Sequence, residues 1–130
     1  APGRQLAPVH RFISQGAAGK TRDRDRFQRV LQNLVTNARE AMADRGNGRI
    51  AVSAQRRKNH CLVYVADNGS GIPEAIRDRL FEPFVSQGKP GGTGLGLALV
   101  RSVVEAHRGT ITCKTSSQGA TFTVKLPSNS

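Results

Sequence analysis

Three short stretches of this chain combine residue types and spacings that suit chemistry on a phosphate-bearing ligand. The first is "GGTGLGLALV" (91–100), where Gly92, Gly94 and Gly96 run into an apolar segment of helical character. A glycine loop entering a helix N-terminus is a ready anion site, because free backbone N–H groups and the helix dipole both face the ligand. A P-loop needs a Lys-Ser/Thr pair straight after its glycines, and here Gly96 is followed by Leu97 and Ala98. A dinucleotide turn needs G-x-G-x-x-G directly after a strand, whereas this spacing is G-x-G-x-G behind the turn formers "SQGKPGG" (86–92). Both familiar phosphate loops are excluded. The stretch is either a phosphate grip of another kind or a plain flexible connector.

The second stretch holds Asn33 and Asn37, four residues apart and so on one face of a helix. At 100° per residue they fall beside the apolar stripe rather than opposite it, where a ligand can meet the edge of the core. Asparagine is a middling helix former, so two of them ask for a reason. An amide oxygen is a hard neutral ligand that suits Mg²⁺, which takes few protein ligands and keeps water and phosphate oxygens. Two solvated surface amides are the plain alternative. The third stretch is "ADNGSGIP" (66–73), in which a strand ends in Asp67 and Gly69 and Gly71 permit sharp turns. A carboxylate there can accept the exocyclic amine of adenine while bare glycine backbone lets a flat ring approach. A simple turn cap by Asp67 is the alternative.

The elements that must position these groups are legible from periodicity. Phe27, Val30, Leu31, Leu34, Ala38, Ala41 and Met42 repeat at the 3.6 period of an amphipathic helix over 25–43, with Asp23 or Asp25 as the N-cap. "GNG" (46–48) ends it. "RIAVSAQ" (49–55) and "CLVYVAD" (61–67) read as two strands joined around "RKNH". A short helix near 74–80 starts behind Pro73, and a longer one spans about 95–107 and closes at Gly109. "TITCKT" and "ATFTVKL" form a last hairpin around "SSQG". This order predicts an α/β fold, a two-layer sandwich whose mixed, largely antiparallel sheet packs on about three helices. Residues 1–22 read as a separate N-terminal segment, with "PVHRFIS" as an edge strand, ahead of one domain over 23–130.

Composition narrows the partners. The chain has 130 residues, 37% hydrophobic and 22% charged, which suits one soluble domain with a core of its own. No apolar run approaches the ~18–20 residues of a membrane span. The first residue is Ala and the one Met is Met42, so a piece of a longer protein is expected. Cys61 and Cys113 lie in apolar alternating segments, as in a reduced core. The net charge of +11 suggests nucleic acid, but the basic residues are scattered and five Phe, one Tyr and no Trp are too few for a base-stacking platform. No nucleic-acid partner is expected. The charge would equally steer a nucleotide or an acidic partner.

Taken together, "NLVTNA" (33–38), "DNGSGIP" (67–73), "FEPF" (81–84) and "GTGLGLA" (92–98) resemble, in order and spacing, the N, G1, F and G2 boxes of bacterial sensor histidine kinases. The resemblance covers about 23–127, including the family's final strand in "GATFTVKLP", and implies the GHKL fold shared with gyrase and the heat-shock chaperone ATPases. It implies ATP and Mg²⁺ as cofactors. Asn37 would coordinate the metal, with Asn33 beside it on phosphate or water. Asp67 would take the adenine amine, with Gly69, Gly71 and Ile72 shaping the pocket. Gly92, Thr93, Gly94, Leu95 and Gly96 would meet the phosphates, while Phe81 and Phe84 anchor a lid over 85–91 whose Lys89 supplies a cation.

Asn33 also bears on the reaction type. The gyrase and chaperone branches place a glutamate there to activate water, which a neutral amide cannot do. The resemblance therefore implies a kinase that keeps the γ-phosphoryl group for a positioned histidine. A serine kinase of the anti-sigma type, or an inactive nucleotide-binding module, is the alternative. "NAREAM" (37–42), with Glu40 where many sensor kinases carry a basic residue, is nearest the nitrogen-regulation and dicarboxylate-sensor branch. His10, His60 and His107 lie in no phosphoacceptor context. The implied partners are a histidine-bearing dimerisation domain of the same protein and a downstream response regulator. A cytoplasmic monomeric fragment of a homodimeric, sometimes membrane-anchored parent is expected.

Overall fold

The computed structural model describes residues 21–42, 46–83, 85 and 96–127. The period-3.6 stripe folds as helix α1 (Thr21–Ala41), which buries Phe27, Val30, Leu31, Leu34, Val35 and Ala38 along one side. The helix starts at Thr21, so Asp23 and Asp25 lie inside its first turns instead of capping it. The reason is that "TRDRDR" contains no helix breaker and sets Asp25 four residues before Arg29, a spacing a helix tolerates well.

Alternation builds the sheet. Strand β1 (Ile50–Arg56) and strand β2 (His60–Asp67) form the first hairpin, and β3 (Thr110–Ser116) and β4 (Gly119–Pro127) form the second. The order across the sheet is β1-β2-β4-β3. All three pairings among the described residues are antiparallel, as a largely antiparallel sheet requires; the expected edge strand in "PVHRFIS" lies outside the described residues. β2 and β3 both run antiparallel to β4 and so parallel to each other; a helical crossover joins them, and β4 returns between them.

One face of the sheet carries Cys61, Val63 and Val65 on β2 and Phe122, Val124 and Leu126 on β4, all buried beneath the helices. Helix α2 (Gly96–Ala106) lays Val100 and Val104 on the same core and packs on α1. Its far end is fixed by His107, whose ring lies 4.7 Å from that of Phe27. The helix closes one residue earlier than expected. Arg108 takes the left-handed conformation at φ 61°, and Gly109 N–H returns 2.9 Å to the Val104 carbonyl. Gly109 is required for another reason: a Cβ there would collide with the carbonyl of Lys125 on β4.

A 3₁₀ helix (Glu74–Arg79) connects β2 to the Phe81 turn and contributes the partly buried Ile76 to the core. Both helices thus sit on one sheet face. The last turn of α1 lies against the loop that follows β2.

Leu34 has no exposed surface and sits at the centre of the helix–sheet interface. Leu34→Ala should cost about 2–5 kcal/mol, read as a lower urea midpoint at unchanged slope. A loss below about 1 kcal/mol would show that this interface is not tight.

Candidate functional site

The site residues converge at one end of the sheet. Asp67 closes β2 and stands in register with Ile50 on one side and Ala120 on the other. Its parity puts the side chain on the helix-covered face, and it is 8% exposed, the only buried polar or charged side chain among the described residues. One carboxylate oxygen accepts the Gly69 N–H at 2.8 Å, which is the turn-cap role. Its other oxygen receives no hydrogen bond from a described residue. A buried carboxylate with one N–H bond is far from satisfied, since it can accept about four.

The loop after Asp67 abuts the last turn of α1. A Cβ on Gly69 would lie 2.8 Å from the Ala41 carbonyl oxygen and 3.0 Å from the Asp67 carboxylate. Asn37 stands one turn back from Ala41 and Asn33 two turns back, both half-buried. Both amides thus lie on the helix whose last turn meets the glycine loop. The neighbouring Asn68 turns the other way. Its side chain accepts from Arg49 N–H at 2.6 Å and donates to the Asn47 carbonyl at 3.1 Å, pinning the segment that enters β1.

The far side of the loop is clasped by the second hairpin. Gly71 has φ 83°, and a Cβ there would collide with the Ser116 carbonyl, so only glycine fits. Gly119 has φ 144°, and a Cβ there would collide with the Asp67 carbonyl. Ile72 N–H donates to the Thr115 hydroxyl at 2.8 Å, and that hydroxyl donates to the Gly119 carbonyl at 3.2 Å. Arg77 donates from Nε to the Ile72 carbonyl at 3.0 Å. An open depression of about 310 Å³ lies against Asp67, Thr115, Gly119 and Ala120.

Among the sequence-predicted residues, Asp67, Gly69, Gly71 and Ile72 lie together at one end of the sheet, with Asn37 and Asn33 one and two turns back along α1. Gly96 is the exposed first residue of α2, with open space where a side chain would be. Phe81 is half-buried with its ring edge-on to Phe122, the centroids 6.2 Å apart at 81°. Phe84, Lys89, Gly92, Thr93, Gly94 and Leu95 lie outside the described residues. The sequence reading missed Thr115, Gly119, Arg77 and Asn68. Thr115 bonds across 43 residues of chain, a link no local spacing signals.

The profile described as "Histidine kinase-, DNA gyrase B-, and HSP90-like ATPase" matches residues 22–130. The chain belongs to this family. Within the family it is 41% identical over 107 residues to the alginate biosynthesis sensor protein KinB of Pseudomonas aeruginosa, covering 81% of this chain and 18% of that protein. It is 40% identical over 104 residues to the C4-dicarboxylate transport sensor protein DctB of Rhizobium meliloti, covering 80% of this chain and 17% of that protein. The chain thus spans less than a fifth of either relative. It superposes on a crystal structure of full-length ShkA in complex with AMPPNP with a TM-score of 0.71 at 30% identity, covering 81% of this chain and 22% of that one. The four-stranded antiparallel sheet under helices is the α/β sandwich of histidine kinase catalytic domains, as the residue pattern implied.

Two strand positions from Thr115, β3 carries a thiol held away from water. Cys61 and Cys113 are both free, and Cys113 is half-buried on β3 opposite Phe122. Burial, reinforced by the Asp67 carboxylate and offset by Arg77, pushes the Cys113 thiol up to about 11 from 9.0. The folded state then holds the proton more tightly than the unfolded chain, so stability falls as pH rises from about 9 to about 11. Cys113→Val should flatten that part of the stability–pH curve measured by denaturant titration. An unchanged slope would show that the Cys113 thiol is not held away from water as its position on β3 requires.

Proposed function

We propose that this chain is the ATP-binding catalytic domain of a sensor histidine kinase. It binds Mg-ATP and gives the γ-phosphoryl group to a histidine on the dimerisation domain of its own parent protein. The observation that carries the reading is the buried Asp67 carboxylate, which among the described residues accepts only the Gly69 N–H and sits in a glycine loop against the last turn of the Asn-bearing helix α1. Family membership and a fold neighbour solved with AMPPNP support it.

Each residue has a distinct task in this reading. Asp67 accepts the adenine amine with its second oxygen, while Gly69, Gly71 and Ile72 let the ring lie against main chain. The donor set suits magnesium: Asn33 and Asn37 offer hard neutral oxygens, and no cluster of three or more His, Cys, Asp or Glu competes among the described residues. Asn37 would hold the ion. When bound, magnesium neutralises phosphate charge. The amides of Gly92, Thr93, Gly94, Leu95 and Gly96 grip the phosphates at the N-terminus of α2, Phe84 anchors the lid, and Lys89 supplies a cation. Phosphoryl transfer needs alignment and charge stabilisation more than covalent help, so such a set suffices. With Asn33 where a hydrolase needs a carboxylate base, water is poorly activated and the phosphoryl group is kept for histidine.

Residues 23–130 form the nucleotide-binding domain, and 1–22 lead into it from the dimerisation domain. The isolated chain is a monomer of cytoplasmic location, the parent a homodimer, and the phosphoryl group passes on to a response regulator. No helix of the described residues is long and apolar enough to cross a membrane.

Calorimetry should register Mg-ATP and Mg-ADP binding to the chain, and Asp67→Asn should weaken it at least about tenfold, because an amide presents a donor where adenine also donates. Nucleotide heat absent under every magnesium condition would end the reading. Added in trans, the parent's histidine hairpin should gain an acid-labile phosphate. Phosphoserine on an added partner would point to the anti-sigma class instead.

A further inference from the structure

Thr115 is not among the residues that the nucleotide reading uses, yet it ties that loop to the rest of the fold. Its hydroxyl accepts the Ile72 N–H at 2.8 Å and donates to the Gly119 carbonyl at 3.2 Å, so its proton and a lone pair are both committed. Ile72 is 3% exposed, which leaves its N–H no ready replacement from water. The arc from Gly69 to Ile72 is consequently held at two points. At one end the Asp67 carboxylate takes the Gly69 N–H; at the other the Thr115 hydroxyl takes the Ile72 N–H. Between them the backbone contains Gly69 and Gly71, the residues least able to hold a shape by themselves. Arg77 adds a weaker tie from the exposed side, through the Ile72 carbonyl.

We infer that Thr115 is the positioning residue of this loop: by bridging the β3–β4 turn to Ile72 it fixes the direction in which Asp67 presents its second oxygen to the purine. The inference rests on the ATP reading above. Its consequence is a base-specific one. Without the hydroxyl the Ile72 end keeps only the Arg77 bond to its carbonyl, and the Gly69 partner that sets the angle of the carboxylate is held less firmly. The contact to the exocyclic amine suffers, whereas phosphate contacts at α2 lie elsewhere and persist.

The test compares Mg-ATP with Mg-inosine triphosphate, which carries a carbonyl in place of the amine, on the whole 130-residue chain by calorimetry. Wild type should prefer ATP. Thr115→Val should lose about tenfold in ATP affinity and less than about threefold for the inosine nucleotide, whereas Thr115→Ser, which keeps the hydroxyl, should stay within about twofold for both. A parallel loss of both nucleotides, an unchanged valine variant, or a serine variant as weak as valine would each overturn the inference. Should Thr115→Val fail to show a folded melting transition, Thr115→Ala, which also lacks the hydroxyl but adds no bulk, decides: the ATP preference should fall about tenfold, and an unchanged preference overturns the inference. Wild type that binds no nucleotide would sink the ATP reading and this inference with it. Wild type that prefers ATP beside a Thr115→Val that keeps the preference sinks this inference alone.

Discussion

The structure is organised around one expensive feature, a carboxylate taken out of water at the end of a central strand. Asp67 gains a single N–H bond for that burial. It also sits near the carbonyl end of α1, where a negative charge is disfavoured. A residue retained only for folding would have more donors, or would be apolar. Desolvation with an unfilled acceptor is the arrangement expected of a group reserved for a donor that arrives from outside.

Everything nearby serves to hold that group in place. β4 returns between β2 and β3, which brings the Gly119 backbone hard against the Asp67 carbonyl. The same return places Thr115 within reach of Ile72. On the other flank α1 runs across the sheet so that its Asn-bearing face ends at Gly69. The helical stripe that buries Leu31, Leu34 and Ala38 thereby also decides where Asn33 and Asn37 stand. Core burial and site geometry are one constraint, so a slip of α1 by one turn would cost both.

Much of this was legible in the residue pattern because alternation and 3.6 periodicity are local. β1, β2, β3 and β4 appear within a residue or so of the segments read, and Asp67 closes its strand as expected. The start of α1 was not legible, since a charged segment free of Gly and Pro carries no sharp signal between cap and interior. Nor was the left-handed backbone of Arg108, a conformation its residue type rarely adopts. The larger omission was Thr115. In the sequence it is one of several threonines on an exposed-looking strand, and only the order of strands brings it to the loop. Short-range chemistry can be read from spacing; a clasp between hairpins depends on topology.

The central claim is that one end of this fold recognises a purine through Asp67. Amide NMR of the ¹⁵N-labelled chain titrated with Mg-ADP addresses it directly. The account predicts saturable shifts concentrated at Gly69, Gly71 and Ile72 and along α1 near Asn37, with Tyr64 and Lys125 on the opposite sheet face unmoved. Shifts confined to that opposite face, with the Gly69–Ile72 arc silent, would contradict it.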